Sequence, residues 1–250
     1  MSSDEIRLAS EEITRAGGPL QRRITPDEVA DALIRRAVDR VRPHALALCQ
    51  EMQAGICVWN IAISPDRSLN AGAGPGGRVL IHRGIADYAE NEEQIALVVA
   101  HELAHQAAHH VANTQRNQAI GALIGALIIG AAAAYAGRGS FYAADIARTG
   151  VDTGAALGGA IGRISFSKQQ EQEADYLVAV ILYRAGLDLD RARGFLVTLA
   201  RASGRQETGM LDTHPAGPER VAAWDRAVAE IRERQGRLPE RAASRAAPAG

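Results

Sequence analysis

The sequence predicts an α+β fold that is mostly α-helical and includes a small β-sheet. Several long segments repeat apolar residues at helical spacing behind capping residues, whereas only two short runs, 58–63 and 79–81, are rich in strand-forming residues. The composition is globular, since 47% of the 250 residues are hydrophobic and 23% are charged. A chain of this length buries a sizeable core as one large domain or at most two small ones.

Charge and aromatic content limit the partners of the protein. The formal net charge is −1, and only 4% of the residues are aromatic. Binding to nucleic acid needs a clear excess of Lys and Arg or aromatic platforms for the bases, so no nucleic-acid partner is expected.

The first 24 residues are polar, and Gly17-Gly18-Pro19 near their end predicts a loosely attached N-terminal arm over 1–24. No positively charged flank precedes an apolar core in this arm, so no signal peptide is visible. The protein is therefore either cytoplasmic or numbered from a point after its leader was removed.

The first long helix is predicted to begin at Thr25. Thr25 is the expected N-cap, Pro26 the first helical residue, and Glu28 is placed to close a capping box. Pro43 is expected to end this helix. The two predicted strands follow, separated by a Gly-rich run over 72–77 that is typical of turns.

The next helix is predicted from the N-cap Asn91, with Gln94 closing a capping box, to about Arg116. Beyond an apolar middle segment, helical periodicity returns three times before a tail rich in Arg, Ala and Pro. These helices are predicted at about 168–185 with Gly186 as the C-cap, at 189–202 and at 218–233, and the tail over 235–250 is predicted to be disordered.

The most specific chemical motif is His101-Glu102-Leu103-Ala104-His105, an H-E-x-x-H sequence within a predicted helix. Residues four apart lie one turn apart on the same face, so the imidazoles of His101 and His105 can reach one metal ion. Glu102 lies to the side, where it can act on a water molecule as a general base. Two imidazoles suit Zn²⁺, and a catalytic zinc site needs a third protein ligand and an open position.

The third ligand is expected on a later helix. The long metzincin motif is excluded because Ala108 and Val111 stand where it needs Gly and His. The first glutamate after the motif is Glu171, which shares a helix face with Asp175 one turn later. We therefore expect Glu171 on zinc and Asp175 accepting the second ring N–H of a ligand histidine. Glu173 points to nearly the opposite side and is expected to be solvated.

These residues resemble the HtpX-like and CAAX-prenyl-protease-like zinc metallopeptidases, a gluzincin-type family that includes periplasmic assembly-quality-control proteases. The resemblance covers about 25–233, and Lys168 departs from the Arg that is usual there. The matching blocks, in chain order, are Asn70-Ala71 before a strand, His101 to His105 with His110, Ser167 to Asp175, and His214-Pro215 followed by Glu219-Arg220.

The resemblance implies a zincin-like metallopeptidase domain over 25–234, with a small sheet beside the active-site helix. It places one Zn²⁺ per chain on His101, His105 and Glu171. His214 and Arg220 would stabilise the oxyanion of the reaction, or His214 would occupy the open zinc position in a latent state.

The function implied is zinc-dependent metalloendopeptidase activity on protein substrates, with membrane-associated or misfolded proteins favoured. The alternative is a chaperone or scaffold protein with a latent zinc site. The resemblance favours a periplasmic or membrane-associated location.

The Gly/Ala-rich apolar segment 116–165 bears on the membrane question. Its part 119–137 is about long enough to cross a bilayer, but Ala and Gly contribute little transfer free energy. A helical hairpin that packs over the active site or dips into a membrane surface is favoured, and a transmembrane span is the alternative.

Three further residue sets carry open expectations. Cys49 and Cys57 are either two buried thiols or, if exported family members are the nearest relatives, a disulfide. His110 is expected to pack in the interior or to support a ligand. If 78–83 is an edge strand, its backbone can pair with an extended substrate.

Overall fold

The computed structural model describes residues 2–17, 20–52, 54, 57–114, 166–202, 214 and 216–239. The helices within these residues are α1 (Ser3–Arg15), α2 (Asp27–Glu51), α3 (Gly84–Tyr88), α4 (Glu92–Ala107), α5 (Lys168–Arg184), α6 (Leu189–Ala202) and α7 (Pro218–Glu233). The strands are β1 (Asn60–Ser64), β2 (Ala71–Gly74) and β3 (Arg78–His82). The mostly helical α+β class predicted from the sequence is confirmed.

Helix α4 is the centre of the packing. It contacts α2, α5, α6 and β2, and nearly all of its side chains are buried. Helix α2 presents to it a face of small and medium apolar residues at three- and four-residue spacing, which is the periodicity of an amphipathic helix. The buried residues of α2 are Ala30, Ile34, Ala37, Val41, Ala45, Leu48 and Cys49.

Helix α2 differs from its prediction at both ends. Its N-cap is Pro26 without a side-chain cap, because Thr25 instead donates its hydroxyl to Ala86 O and its N–H to Asp87 Oδ1. Pro43 lies inside the helix, which continues to Glu51. Pro43 is on the exposed side, so the backbone hydrogen bond lost there faces solvent while the buried face packs on α4 without interruption.

The sheet has the strand order β1–β3–β2. Strand β3 pairs in parallel with β1, with Asn60 opposite Arg78, and antiparallel with β2, with Ala71 opposite Ile81. The condition for pairing of an extended substrate with 78–83 is therefore not met in the described sheet, because β3 is central. Strand β2 lies in the run predicted as a turn; its Ala-Gly-Ala-Gly sequence has poor strand propensity, but its residues are all buried.

The disulfide between Cys49 and Cys57 joins the end of α2 to the segment before β1. The alternative of two separate buried thiols is therefore wrong. The disulfide closes a short loop and so lowers the conformational entropy of the unfolded chain. In the chain-entropy model this raises the free energy of unfolding by about 2.5 kcal/mol.

The two ends of the chain are more ordered than the sequence indicated. Within 1–24, helix α1 packs on α6 and α7, buries Ala9, and pairs Glu12 with Arg193 of α6. At the other end, Gly236 O accepts from Arg184 Nε, and Leu238 packs against the core. The rest of the predicted disordered tail, from 240 onward, is outside the described residues.

The later helices begin and end close to their predicted bounds. Gly186 has a positive φ of 68° just after α5, where its N–H bonds to Tyr183 O, as a helix-ending glycine does. The hairpin predicted over 116–165 lies outside the described residues. Among the helices that are described, none is both long enough and apolar enough to cross a bilayer.

Candidate metal centre

Helix α4 brings the two motif histidines together. Its first turn is capped by Asn91, whose side chain accepts from Gln94 N–H, whereas the Gln94 side chain accepts from Glu90 N–H instead of closing the predicted box. Nε2 of His101 and Nε2 of His105 lie 3.0 Å apart, and both residues are buried. The spacing of one helical turn thus aims both ring nitrogens at one point.

Helix α5 supplies the carboxylate predicted from the spacing. Ser167 and Gln170 form a capping box that starts α5. Glu171 follows in the first turn and is fully buried, with Oε1 3.3 Å from Nε2 of His105 and Oε2 3.2 Å from Nε2 of His101. The structure therefore brings together the three residues expected to hold zinc.

His214 adds a fourth donor to this group. Its Nδ1 lies 2.9 Å from Oε1 of Glu171 and 3.2 Å from Nε2 of His101, and the residue is buried. The four potential ligand atoms all lie within 4.8 Å of one another. A tetrahedral zinc ion with ligands at about 2.0–2.1 Å separates its donors by about 3.3–3.4 Å, close to the spacings found here.

Glu102 occupies the position expected of a general base. It is fully buried, and neither carboxylate oxygen has a hydrogen-bond partner among the described residues. Nε2 of His214 lies 3.5 Å from Oε1 of Glu102. Burial raises the pKa of this carboxyl, and a raised pKa brings a glutamate closer to the range in which it can exchange protons near neutral pH.

Asp175 and Arg220 support the centre from the side of His101. Asp175 Oδ1 lies 3.1 Å from His101 Nδ1, as the helical-face argument predicts. Arg220 donates to both Asp175 oxygens at 2.8 Å and lies 2.8 Å from Oε2 of Glu171. Burial alone would raise the pKa of the Asp175 carboxyl, but the Arg220 guanidinium outweighs it and holds that pKa below its usual value. Arg220 therefore contacts carboxylates of the centre that the sequence had not linked to it.

The side of His105 is formed by Phe166, which sequence reasoning did not assign, and by His110, which was expected to pack in the interior or to support a ligand. The Phe166 ring stacks on His105, with ring centroids 3.8 Å apart and 23° between the planes. His110 Nδ1 lies 3.0 Å from His105 Nδ1, and His110 Nε2 lies 3.2 Å from Glu173 Oε2. The expectation that Glu173 is simply solvated is therefore incomplete, because its exposed carboxylate contacts a buried histidine.

A break in α4 makes the His110 contact possible. The predicted helix to about Arg116 instead ends at Ala107, and His109 adopts a left-handed φ of 58°. On a continuous helix His110 would be rotated by about 140° from His105, away from the metal-facing side. The reversal at His109 is what returns the next residue toward His105.

The titratable groups of the centre differ in how strongly they hold a proton. Burial alone would lower the pKa of His101, but the Glu171 and Asp175 carboxylates outweigh it and raise that pKa to about 9. Burial holds the pKa of His105 well below its usual value. The pKa of Glu171 is strongly lowered by the neighbouring histidines despite its burial. A cation binding here would thus displace a proton from His101.

Comparison with known proteins identifies the family. Residues 35–228 match the model of peptidase family M48. The chain belongs to that family. The resemblance drawn from the motifs is thereby confirmed, and the helical fold with its small mixed sheet is consistent with the α+β architecture expected for an M48 member.

The M48 chain is similar to curated proteases over much of its length. It is 35% identical over 157 residues to the beta-barrel assembly-enhancing protease of Escherichia coli (strain K12), which covers 62% of this chain and 31% of that protein. It is 28% identical over 195 residues to the putative beta-barrel assembly-enhancing protease of Vibrio cholerae serotype O1, covering 77% of this chain and 39% of that protein. The chain thus spans about a third of the length of these relatives.

Proposed function

We propose that this M48 peptidase is a zinc-dependent metalloendopeptidase. The observation that carries the proposal is the convergence of His101, His105, Glu171 and His214 on one point, with Glu102 beside them. Three imidazole nitrogens and one carboxylate oxygen form a donor set that suits Zn²⁺, and the near-tetrahedral spacing agrees with its preferred geometry. Zinc held there would polarise the scissile carbonyl and acidify the attacking water.

The protein's own residues account for the proton transfers. Glu102 is fully buried and its carboxylate has no hydrogen-bond partner among the described residues, so it is available to accept a proton from the attacking water. The same carboxyl then delivers the proton to the leaving amine, which is the general acid step. Burial raises the pKa of the Glu102 carboxyl, which brings it closer to the range in which it can both accept and release a proton near neutral pH. No covalent intermediate with the protein is required.

We assign Arg220 to positioning rather than to direct contact with the oxyanion. Its guanidinium donates to both oxygens of Asp175 and lies 2.8 Å from Glu171. These contacts fix the two carboxylates that face His101. The Asp175 carboxylate lies between the buried Arg220 guanidinium and the imidazole of His101. A carboxylate in this position sets the tautomer of a ligand imidazole.

His214 supports a latent state for the same centre. Its Nδ1 completes a set of four donors, and a zinc site closed by four protein ligands leaves no position for water or substrate. We infer that His214 must leave this set before cleavage begins. If His214 instead stabilises the oxyanion, removing its side chain should slow cleavage rather than speed it.

The substrates and location are proposed on separate observations. The relatives are named for enhancing beta-barrel assembly, which favours outer-membrane or misfolded membrane proteins as clients. The Cys49–Cys57 disulfide favours an oxidising compartment such as the periplasm. Mass spectrometry of native, unreduced protein should show a mass two daltons below that of the reduced chain; two free thiols would contradict export.

The central experiment combines metal analysis with a casein cleavage assay on purified, zinc-loaded protein. Glu102→Gln should retain one zinc per chain and lose at least about a thousandfold in cleavage rate, because only the general base is removed. Glu171→Ala should lose zinc and cleavage together. Cleavage by Glu102→Gln at the wild-type rate would contradict the base assignment.

His214→Ala separates the two roles of His214. If His214 closes the centre, the variant should retain zinc through the other three ligands and cleave casein faster than wild type. If His214 stabilises the oxyanion, cleavage should fall with zinc content unchanged. Client binding by wild type and by Glu102→Gln, with no cleavage by any variant, would favour the scaffold function instead.

A further inference from the structure

His110 and Glu173 are motif residues that the proposed reaction does not use. His110 is buried at 3% exposure, whereas the Glu173 side chain is 57% exposed. His110 contacts His105 through Nδ1 and Glu173 through Nε2, so its two ring nitrogens join a buried imidazole to a surface carboxylate.

The proton positions in this chain of contacts follow from the metal centre, and the inference rests on the proposed function to that extent. If Nε2 of His105 gives its lone pair to zinc, its proton must be on Nδ1. That N–H donates to Nδ1 of His110, which must then be unprotonated. The remaining proton of neutral His110 is on Nε2, where it donates to the Glu173 carboxylate.

We propose that His110 and Glu173 are positioning residues that fix the tautomer and orientation of His105. Metal-binding histidines depend on an acceptor for their second ring N–H, and that acceptor is commonly a carboxylate or carbonyl. Here the acceptor of His105 is another imidazole, which is itself oriented by a carboxylate. The left-handed His109 is what allows this arrangement, since it turns His110 back toward the centre.

The His101 side shows the same logic with a different construction. Asp175 Oδ1 lies 3.1 Å from His101 Nδ1, within ion-pair distance of that ring. The second ring nitrogen of each motif histidine therefore has a polar group beside it, which is a carboxylate oxygen at His101 and an imidazole nitrogen at His105. This correspondence indicates that the His110–Glu173 contact serves the metal ligand and is more than a chance surface ion pair.

The test measures zinc affinity by competition with a chromogenic chelator, using the full chain. His110→Leu removes the acceptor at similar size and should weaken zinc binding about 10- to 100-fold. His110→Asn retains an acceptor, since Oδ1 replaces Nδ1, and should bind zinc within about threefold of wild type. Gln169→Ala, an exposed change one turn before Glu173 on α5, is the matched control and should not alter affinity.

Glu173→Ala keeps the inference testable if His110→Leu folds poorly, because position 173 is at the surface. It should weaken zinc binding by about threefold or more, less than His110→Leu, since water competes for an exposed hydrogen bond. In the His110→Leu background, Glu173→Ala should have no further effect, because Glu173 acts through His110. If the two substitutions instead weakened zinc binding additively, Glu173 would not act through His110 and the inference would be overturned.

A spectroscopic readout separates positioning from packing. In zinc-loaded, ¹⁵N-histidine-labelled protein, the His105 Nδ1–H proton should be observed as a slowly exchanging signal in wild type and in His110→Asn. The signal should be lost in His110→Leu. Equal affinity and an unchanged signal in His110→Leu would overturn the inference while leaving the zinc proposal intact. Wild-type protein that binds no zinc would overturn both.

Discussion

The two histidines of α4 face the same centre but are supported in contrasting ways. His101 rests on Asp175, a fully buried carboxylate whose charge is balanced by the buried Arg220. His105 rests on His110, a neutral ring that leads to the exposed Glu173. The first support is a closed charge cluster in the interior, and the second reaches solvent. Disturbing the interior support should therefore cost stability as well as metal binding, whereas removing the exposed Glu173 carboxylate should weaken metal binding with little effect on stability.

The largest expected effect comes from opening the interior cluster. Asp175→Leu leaves the buried Arg220 without its bidentate partner and should lower the free energy of unfolding by about 3–5 kcal/mol. The double variant Asp175→Leu with Arg220→Met should recover part of that loss, because the buried cation that lost its bidentate partner is removed as well. Urea unfolding of both zinc-free variants measures the difference. Equal stability of the single and double variants would contradict the charge-cluster account.

Phe166 tests the packing of the His105 side. Phe166→Leu removes the stacked ring and should lower stability by about 1–2 kcal/mol, since part of the apolar burial is retained. Zinc affinity should fall with it, because the His105 ring loses the surface that fixes its plane. Thermal unfolding with and without zinc measures both. Loss of stability with unchanged zinc affinity would limit Phe166 to packing.

His109 tests whether the break in α4 is required. His109→Gly removes the cost of a left-handed non-glycine residue and should raise stability by about 0.5–1 kcal/mol with zinc binding retained. His109→Val, which is β-branched, should lower stability and weaken zinc binding, because the reversal that places His110 is disfavoured. Chemical unfolding measures the stability of the two variants, and chelator competition measures their zinc affinity.

A surface ion pair gives the smallest effect and a reference for the buried cluster. The Arg193 guanidinium holds the pKa of the Glu12 carboxyl below its usual value. A lowered folded pKa stabilises the fold above the unfolded pKa of about 4.3, and the benefit is lost as pH falls through the folded pKa. Glu12→Gln should therefore cost under about 1 kcal/mol at pH 7 and nothing at low pH, measured by unfolding across that range.

Much of the candidate site could be predicted from the sequence because it depends on local helical spacing. The four-residue steps from His101 to His105 and from Glu171 to Asp175 place each pair on one face, and strong capping signals marked the helices that carry them. His214 and Arg220 came instead from the family resemblance, since a histidine before a proline has no spacing signal of its own.

The remaining features depend on tertiary contacts that local patterns do not contain. Strand β2 is made of Ala and Gly, and only its burial against α4 and β3 makes it a strand. Pro43 is tolerated inside α2 because it lies on the exposed side of the helix. Phe166 lay beside a Gly/Ala-rich run with no periodicity, and the link from Glu173 to His110 arises only because His109 reverses the chain.

The small apolar cluster beside His105 has a consequence for how the protein assembles. Phe166 joins Ala73 and Val111 in a group separate from the main core. Three side chains bury too little surface to hold together alone, so they gather only on a scaffold already built by α2, α4 and the sheet. A refolding chain should thus regain its helices before the candidate metal centre is complete, and the last step would be the packing of the Phe166 ring on the His105 imidazole.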